Sequence, residues 1–450
     1  MNRHHIVMQL GAGDRFSPKP GDEHAKTSKV RCLDVYKSFE FGLDNLLGAA
    51  RVRGLTPSET AFDLALLATA VMGTDTRVSR AAHSQDGWTR ELHLYLAVSD
   101  VALWSNQAPA LSRMLNFLTG DRWEFTFRPR PTKYRKIVGP PDELNMNPYS
   151  CVSLLSGGLD SFIGAVDLLD ARERPLFVSH YWHGVTSHYQ KAVVALLEGE
   201  FGQKNVDSVR IHSGFPHGVI KDGGNEDTQR SRSFLFFALA AFLASGINRP
   251  TRVFVPENGL ISLNVPLDPL RLGALSTRTA HPFYLARWNE LLGALGMNVT
   301  LFNPYATRTK GWLVGNCARR DFLKKHLKKT MSCSSPEKAR WKGHAPEHCG
   351  HCLPCLIRRA SILKGLGDDP TDYTTKLSGR IPSTNAEGEH IRSFQFACQA
   401  LKKNPGLARF AIHKPGPLTD VADLLDDYAK VYRDGMKEIE TLLAEVKTAP

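Results

Sequence analysis

Long apolar runs are missing from this sequence. The longest, Phe234 to Ala244, has 11 residues, whereas a membrane-spanning helix needs about 18–20. Residues 1–30 mix His, Arg, Lys and Asp with apolar positions and carry no apolar stretch followed by a cleavage site, so no secretory signal is expected. Cysteine is sparse, eight in 450 residues, and only half of it is clustered, which fits a secreted disulfide framework poorly. Internal repeats and low-complexity tracts are absent, as are the Gly-x-x-x-x-Gly-Lys-Ser/Thr and Gly-x-Gly-x-x-Gly loops. A cytoplasmic location without membrane contact is expected.

What is present is an ordinary globular composition, 42% hydrophobic and 23% charged, in a chain two to three times the length of one domain. The formal charge of +12 is unevenly spread. Eleven Lys and Arg between Arg308 and Lys342 face only Asp321 and Glu337. A solvated face beside an anionic ligand is favoured for this segment; nucleic acid remains the sharper alternative, without the aromatic interleaving such surfaces carry.

Residues 1–30 are polar with little periodicity and are expected to form a loosely ordered arm. A small α/β unit follows, with helical spacing at 61–71 and 108–118 and strands at 90–98 and 123–127. The Gly- and Pro-rich run 137–149 is a linker. Strands and helices then alternate, the strands at 151–155, 176–181, 208–212, 252–256 and 298–302. This pattern predicts a doubly wound parallel α/β sheet. The organisation expected is an N-terminal α/β domain over 1–140, the parallel-sheet domain over 141–365 and a helical extension over 366–450. In the last, Tyr428, Tyr432, Ile439 and their neighbours recur at helical spacing.

Two constellations carry chemistry. In the first, an apolar strand from Cys151 runs into Ser156-Gly157-Gly158-Leu159-Asp160-Ser161, after which the spacing becomes helical. Glycines let the backbone N–H groups approach an anion, the helix N-terminus adds its dipole, Ser156 and Ser161 donate to phosphate oxygens, and Asp160 suits a magnesium ion. The second is Cys333, Cys349, Cys352 and Cys355, with three cysteines in one tight turn, as in a four-cysteine zinc site. His344, His348 or His351 in place of one cysteine, an iron–sulfur cluster, and unligated thiols remain alternatives.

Residues 156–161 resemble the SGGxDS loop of the PP-loop ATP pyrophosphatases. Together with the Cys-Gly-His-Cys cluster that closes the domain, they resemble the QueC-like members of that family over about residues 150–365. The resemblance implies the adenine nucleotide alpha-hydrolase-like fold with a zinc-binding segment, and ATP, magnesium and zinc as cofactors. It implies the adenylation of 7-carboxy-7-deazaguanine. Arg232-Ser-Phe-Leu-Phe-Phe-Ala-Leu-Ala-Ala resembles the family's arginine-bearing helix, and Thr309-Lys310-Gly-Trp its lysine segment. Arg232 and Lys310 are thus phosphate candidates beside Asp160.

The family's base-recognition stretch has no clear counterpart in residues 257–283, and the N-terminal addition and longer tail look like those of QueC-like proteins of anti-phage defence operons, the Qat type. For those the resemblance implies that a partner protein's N-terminal amine captures the activated carboxylate, with the added domain as docking surface. Rival readings are a nitrile (7-cyano-7-deazaguanine) synthase or tRNA-modifying enzyme, and a nucleotide-binding regulatory subunit without catalysis.

Strand ends supply further candidates. Tyr181 and Trp182 could stack a base, with His183 or His188 as polar partner, or simply pack in the interior. Glu257 and Asn258 could accept the N–H groups of a guanine-like base or cap a helix. Arg278 and His281 lie in a polar insertion suited to a ligand, a partner or a surface loop. The Phe234–Leu243 stripe is expected to be core.

Overall fold

The computed structural model describes all residues except 1–2, 12, 20–24, 34–39, 86, 143–148, 268–277, 344, 379 and 450. Its first layer is a parallel sheet of β1 (Arg3–Gln9), β2 (Ala25–Arg31), β3 (Glu91–Val98) and β4 (Arg122–Pro129), in the order β2-β1-β3-β4. The expected N-terminal arm is therefore corrected: β1 lies inside the sheet, paired with β2 and β3. Its histidines and arginine hid it. His4 is 1% exposed, with its ring 4.6 Å from that of His83, and burial pushes it down to about 4, so it packs as a neutral core residue.

Between β2 and β3 lie α1 (Leu43–Arg51), α2 (Glu59–Arg77) and the single turn α3 (Arg80–His83), and α4 (Val101–Thr119) joins β3 to β4. The Ser58 hydroxyl accepts from Ala61 N–H and starts α2; the Asp100 carboxylate accepts from Leu103 N–H and starts α4. Every residue of α2 from Ala61 to Arg77 is buried. A helix that is apolar around most of its circumference must be covered on all sides. Here β3 covers one side and the helix Arg232–Ser245 of the second layer another.

That second layer is a five-stranded parallel sheet of β5 (Cys151–Leu154), β6 (Pro175–Tyr181), β7 (Asp207–His212), β8 (Thr251–Phe254) and β9 (Val299–Phe302). All five strands lie where the sequence pattern placed them. The order is β7-β6-β5-β8-β9, so the chain walks outward from β5 to β7 and then crosses to the other side. The order reverses between β5 and β8, and the carboxyl ends of these two strands flank the crevice where ligands sit in open α/β sheets.

Helices α5 (Leu159–Asp170) and α6 (Gly184–Phe201) follow β5 and β6, and α7 (Arg232–Ser245) precedes β8. Helices α8 (Gly259–Leu263) and α9 (Pro282–Ala294) separate β8 from β9, and α10 (Lys310–Asn316), α11 (Arg320–His326) and α12 (Leu353–Leu366) follow β9. Alternation along β6 sorts the two faces: Leu176 and Val178 join the apolar cluster that contains α7, whereas Phe177 joins the one that contains α5 and α6. The α7 cluster continues through α2 into the first sheet, so the two sheets share one core and the Phe234–Leu243 stripe is part of it.

The C-terminal residues add α13 (Ala386–Lys403), α14 (Leu407–Ala411) and α15 (Leu425–Leu442), with a short parallel pair β10 (Arg380–Pro382) and β11 (Lys447–Ala449). Tyr428, Tyr432 and Ile439 of α15 are buried, as their spacing predicts, against α8, α12 and α13.

A fully buried ion network joins the layers. Arg90 and Arg80 both pair with Asp75 at the end of α2 and with Asp121. Asp75 also accepts from the backbone and hydroxyl of Ser231, 2.9 and 2.8 Å away, just ahead of α7. Removing one partner from such a network costs about 3–5 kcal/mol. The segment before α7 is thereby anchored to the first layer. Among the described residues no helix is long and apolar enough to cross a membrane.

Candidate functional site

A cavity of about 910 Å³ opens at the carboxyl edge of the five-stranded sheet, at the crevice between β5 and β8. One wall is the turn from β5 into α5. Gly157 takes φ +83°, and a Cβ there would stand 3.1 Å from the backbone nitrogen of Gln190, so only glycine fits. The Ser161 hydroxyl accepts from Ser156 N–H (3.2 Å) and donates to the Gly158 carbonyl (3.0 Å), closing the turn upon itself. No side chain caps the first turn of α5. A glycine-rich turn at a helix N-terminus is suited to an anion.

The floor is built by one carboxyl group from the first turn of α5, one from the loop after β8, and one lysine. Asp160 of α5 is 3.0 Å from the Lys310 ammonium and accepts from the side-chain and backbone N–H of Asn258, at 2.7 and 3.2 Å. Burial by itself would raise Asp160. The Lys310 charge and hydrogen bonds from Glu257, Asn258 and Lys310 instead hold it below the usual carboxylate range. Glu257 goes the other way: loss of water first, then the charge of Asp160 and the hydrogen bond to it, push it well above its ordinary value. The pair therefore holds one negative charge and one proton.

Glu257→Gln tests that sign. A carboxyl raised above its unfolded value of 4.5 contributes stability that is complete below that pH and is lost as pH rises through the folded value. Glutamine is neutral at every pH and keeps a donor for Asp160. At pH 7 the variant should melt at or above the wild-type temperature, with the gap closing toward pH 4. A lower melting temperature at pH 7 would mean that Glu257 is ionised in the fold.

Arg232, the first residue of α7, supplies a further cation. It lines the cavity, donates to the His180 carbonyl at 3.4 Å, and has no carboxylate partner among the described residues. Burial lowers it, and burial together with this charge pushes His180 down to about 3.

Most of the other sequence candidates converge here as well. Ser156, Gly158, Leu159, Ser161, His183 and Glu257 line the cavity; Gly157 shapes the turn from behind, and Asn258 sits behind Asp160 while also capping α8. Tyr181, Trp182 and Arg278 lie elsewhere. Tyr181 packs against His212 and beneath the Arg210 guanidinium, and Arg278 lines a second, smaller cavity. Trp182 packs on Phe215 and Arg77. Part of the polar insertion, residues 268–277, falls outside the described residues.

The segment Met331–Lys338 forms a further wall of the cavity; in the sequence it is marked only as part of the basic stretch expected beside an anionic ligand. Met331 N–H donates to the Gly157 carbonyl at 2.9 Å, so this segment is bonded directly to the glycine turn. Nearby, several cations of the basic stretch are already paired: Arg319 with Asp170, Lys324 with Asp368 and Lys328 with Asp372.

The same segment contributes Cys333 to a four-cysteine cluster. The sulfurs of Cys333, Cys349, Cys352 and Cys355 lie within 4.8 Å of one another, with 3.9 Å between Cys333 and Cys352 and between Cys349 and Cys355. A tetrahedron with metal–sulfur bonds of about 2.3 Å has edges of about 3.8 Å, so the cluster suits a metal ion such as zinc. Hydrogen bonds from the other three thiols lower Cys349, favouring the thiolate that a cation binds. Gly350 makes the turn possible: at φ +83° its missing Cβ would stand 2.8 Å from the Thr375 carbonyl. Among the described residues the group that could hold a metal is the four cysteines: His348 accepts from Ser332 N–H, and His351 bonds Thr375 and hydrogen-bonds to Cys349 beside the cluster; His344 is outside the described residues.

Comparison of the sequence with models of known families and with curated proteins finds no match in either. The chemistry of the site is therefore argued from its own residues.

Proposed function

We propose that the protein is an AMP-forming, ATP-dependent ligase of the QueC-like PP-loop type. It activates the carboxylate of 7-carboxy-7-deazaguanine and joins it by an amide bond to an amine, the N-terminus of a partner protein in an anti-phage defence system. The observation that carries this reading is the Ser156–Ser161 turn. It opens a helix onto a cavity that also receives Lys310 and Arg232, two cations from separate elements.

In the proposed reaction a carboxylate oxygen of the substrate attacks the α-phosphorus of ATP, the bond to the β-phosphate oxygen breaks, and pyrophosphate leaves. The amine then attacks the acyl carbon, loses a proton, and AMP departs. No protein nucleophile is needed. Negative charge grows on the departing pyrophosphate, where N–H groups of the 156–161 turn, Arg232 and Lys310 would stabilise it. Asp160, with Glu257 beside it, offers the carboxylate oxygens that would hold magnesium, whose charge would offset that of the phosphates. Zinc at the four cysteines would hold the segment Met331–Lys338 against the turn.

A second reading, a nucleotide-binding subunit without catalysis, draws support from the same floor, because Asp160 is already occupied by Lys310 and Asn258. The two separate when the purified protein is incubated with ATP, magnesium, 7-carboxy-7-deazaguanine and either ammonia or a glycine-starting partner, followed by mass spectrometry. AMP with a mass gain on the partner N-terminus is the expected result. Free nitrile would make the protein a 7-cyano-7-deazaguanine synthase, and intact ATP with every acceptor would overturn the ligase reading.

A further inference from the structure

Arg232 and Lys310 reach the large cavity from different elements, and each is fastened from outside the five-stranded sheet. Arg232 opens α7. Ser231, immediately before it, gives its N–H and its hydroxyl to Asp75 of α2, at 2.9 and 2.8 Å. A serine in that place ordinarily accepts from the first turn of its own helix. Here no side chain caps α7, because the hydroxyl is turned across to the first layer. The connection ahead of it is held at the same end of α2. Glu226 N–H donates to the Thr76 carbonyl at 3.1 Å, the Glu226 carboxylate accepts from Arg80 N–H at 2.9 Å, and Ser79 N–H donates to the Gly223 carbonyl at 2.8 Å. Gln229 and Arg232 thus enter the cavity from a connection that is bonded to residues 75–80.

Lys310 is held in the same way from the C-terminal helices. Glu438 of α15 accepts from the Thr309 hydroxyl at 2.5 Å and from Gly311 N–H at 3.2 Å, so one carboxylate grips the residues on both sides of Lys310. Gly311 permits this approach, since a Cβ there would stand 2.5 Å from a Glu438 oxygen. The Thr309 hydroxyl also accepts from Trp312 N–H at 3.0 Å and so starts α10. Lys310 itself is left to face Asp160. Neither Asp75 nor Glu438 lines the cavity.

We propose that Asp75 and Glu438 are positioning residues for the phosphate site. The first layer sets Arg232 through Ser231, and α15 sets Lys310 through Thr309 and Gly311. Long cationic side chains stabilise a transferring phosphate only where their backbone is fixed, because a displacement of about 1 Å can cost about 100-fold in rate. The first layer and the C-terminal helices are then parts of that site, whatever partner they also receive. This inference rests on the reading of the cavity as an ATP site and extends it to residues that never touch the nucleotide.

Asp75 also carries Arg80 and Arg90, so the test removes the Ser231 hydroxyl instead. Binding of ATP with magnesium is measured by calorimetry for the full-length wild type, Ser231→Ala, Arg232→Gln and the double variant. Arg232 has no carboxylate partner among the described residues, so R232Q strands no charge. R232Q should weaken binding about tenfold or more and S231A about three- to tenfold. Once Arg232 is gone, S231A should cost nothing further, because Ser231 acts through it. Glu438→Gln keeps the size of the side chain and should be coupled to Lys310→Met in the same way. Effects that multiply in the Ser231–Arg232 cycle would mean a loss of packing alone and would overturn the proposal, even if K310M, which unpairs Asp160, does not fold. ATP that binds with this coupling but never yields AMP would leave the positioning intact and overturn the ligase reading. A wild type that binds no ATP would overturn both.

Discussion

Asp160→Ala should lower AMP and pyrophosphate formation by about 10³-fold or more, the loss expected when a preorganised charge is removed from a site of this kind, while leaving the protein folded. The second half of that expectation comes from Glu257. Deleting Asp160 leaves the Lys310 ammonium, 7% exposed, without its partner, and an uncompensated buried charge costs about 3–5 kcal/mol. Glu257 is neutral only because of its burial and the neighbouring Asp160 charge. With Asp160 gone, Lys310 draws Glu257 into its ionised form, and the floor keeps one positive and one negative charge.

The melting temperature of D160A should therefore fall much less than a bare lysine would imply, whereas D160A/E257Q, with no carboxyl left to ionise, should show the full loss. That non-additivity is the signature of a shared charge. Turnover by D160A within a factor of ten of wild type would remove Asp160 from the chemistry. An additive double mutant would remove the exchange of charge between the two carboxyls.

How much of this was legible in the sequence depended on what kind of interaction made each part. The strands of the five-stranded sheet were visible because a buried parallel strand is apolar on both faces, as Val152, Leu154, Leu176, Phe177 and Val178 are. Strand β1 was not, because His4 looks polar in a sequence and becomes a core residue only once burial has neutralised it. The Ser156–Ser161 turn and the cysteine cluster were legible because their chemistry depends on short local spacings.

Residues that depend on one step of register or on a long-range crossing were not. Tyr181 and His183 stand two positions apart, yet only His183, at the start of α6, turns into the cavity. Arg278 and Thr279 are neighbours and line different cavities. The wall at Met331–Lys338 exists only because the chain returns from α11 to bond the Gly157 carbonyl, and no spacing announces that contact.

The same crossing makes the cysteine cluster the second place where one substitution should have a large effect. Cys355 is fully buried in the first turn of α12, and Arg358, one turn on, donates to the Leu327 carbonyl and the Thr330 hydroxyl, both at 2.8 Å. The cluster, α12 and the stretch 327–333 thus form one clamp, and Met331 carries it to the glycine turn. Binding free energy of a structural metal is folding free energy for the segment it closes. Purified protein should contain one zinc per chain, and Cys355→Ser should lose most of it.

Chelation or C355S should lower the melting temperature by roughly 5–10 °C and expose the stretch 327–350 to limited proteolysis. It should also weaken ATP binding about tenfold, because the cavity wall at Met331–Lys338 is no longer held against the glycine turn. Zinc restored to the chelated wild type should recover all three properties, and C355S should recover none. If the chelated protein kept its melting temperature and resisted proteolysis, the four thiols would be packing without a metal, and the hold on the glycine turn would come from Arg358 and α12 alone.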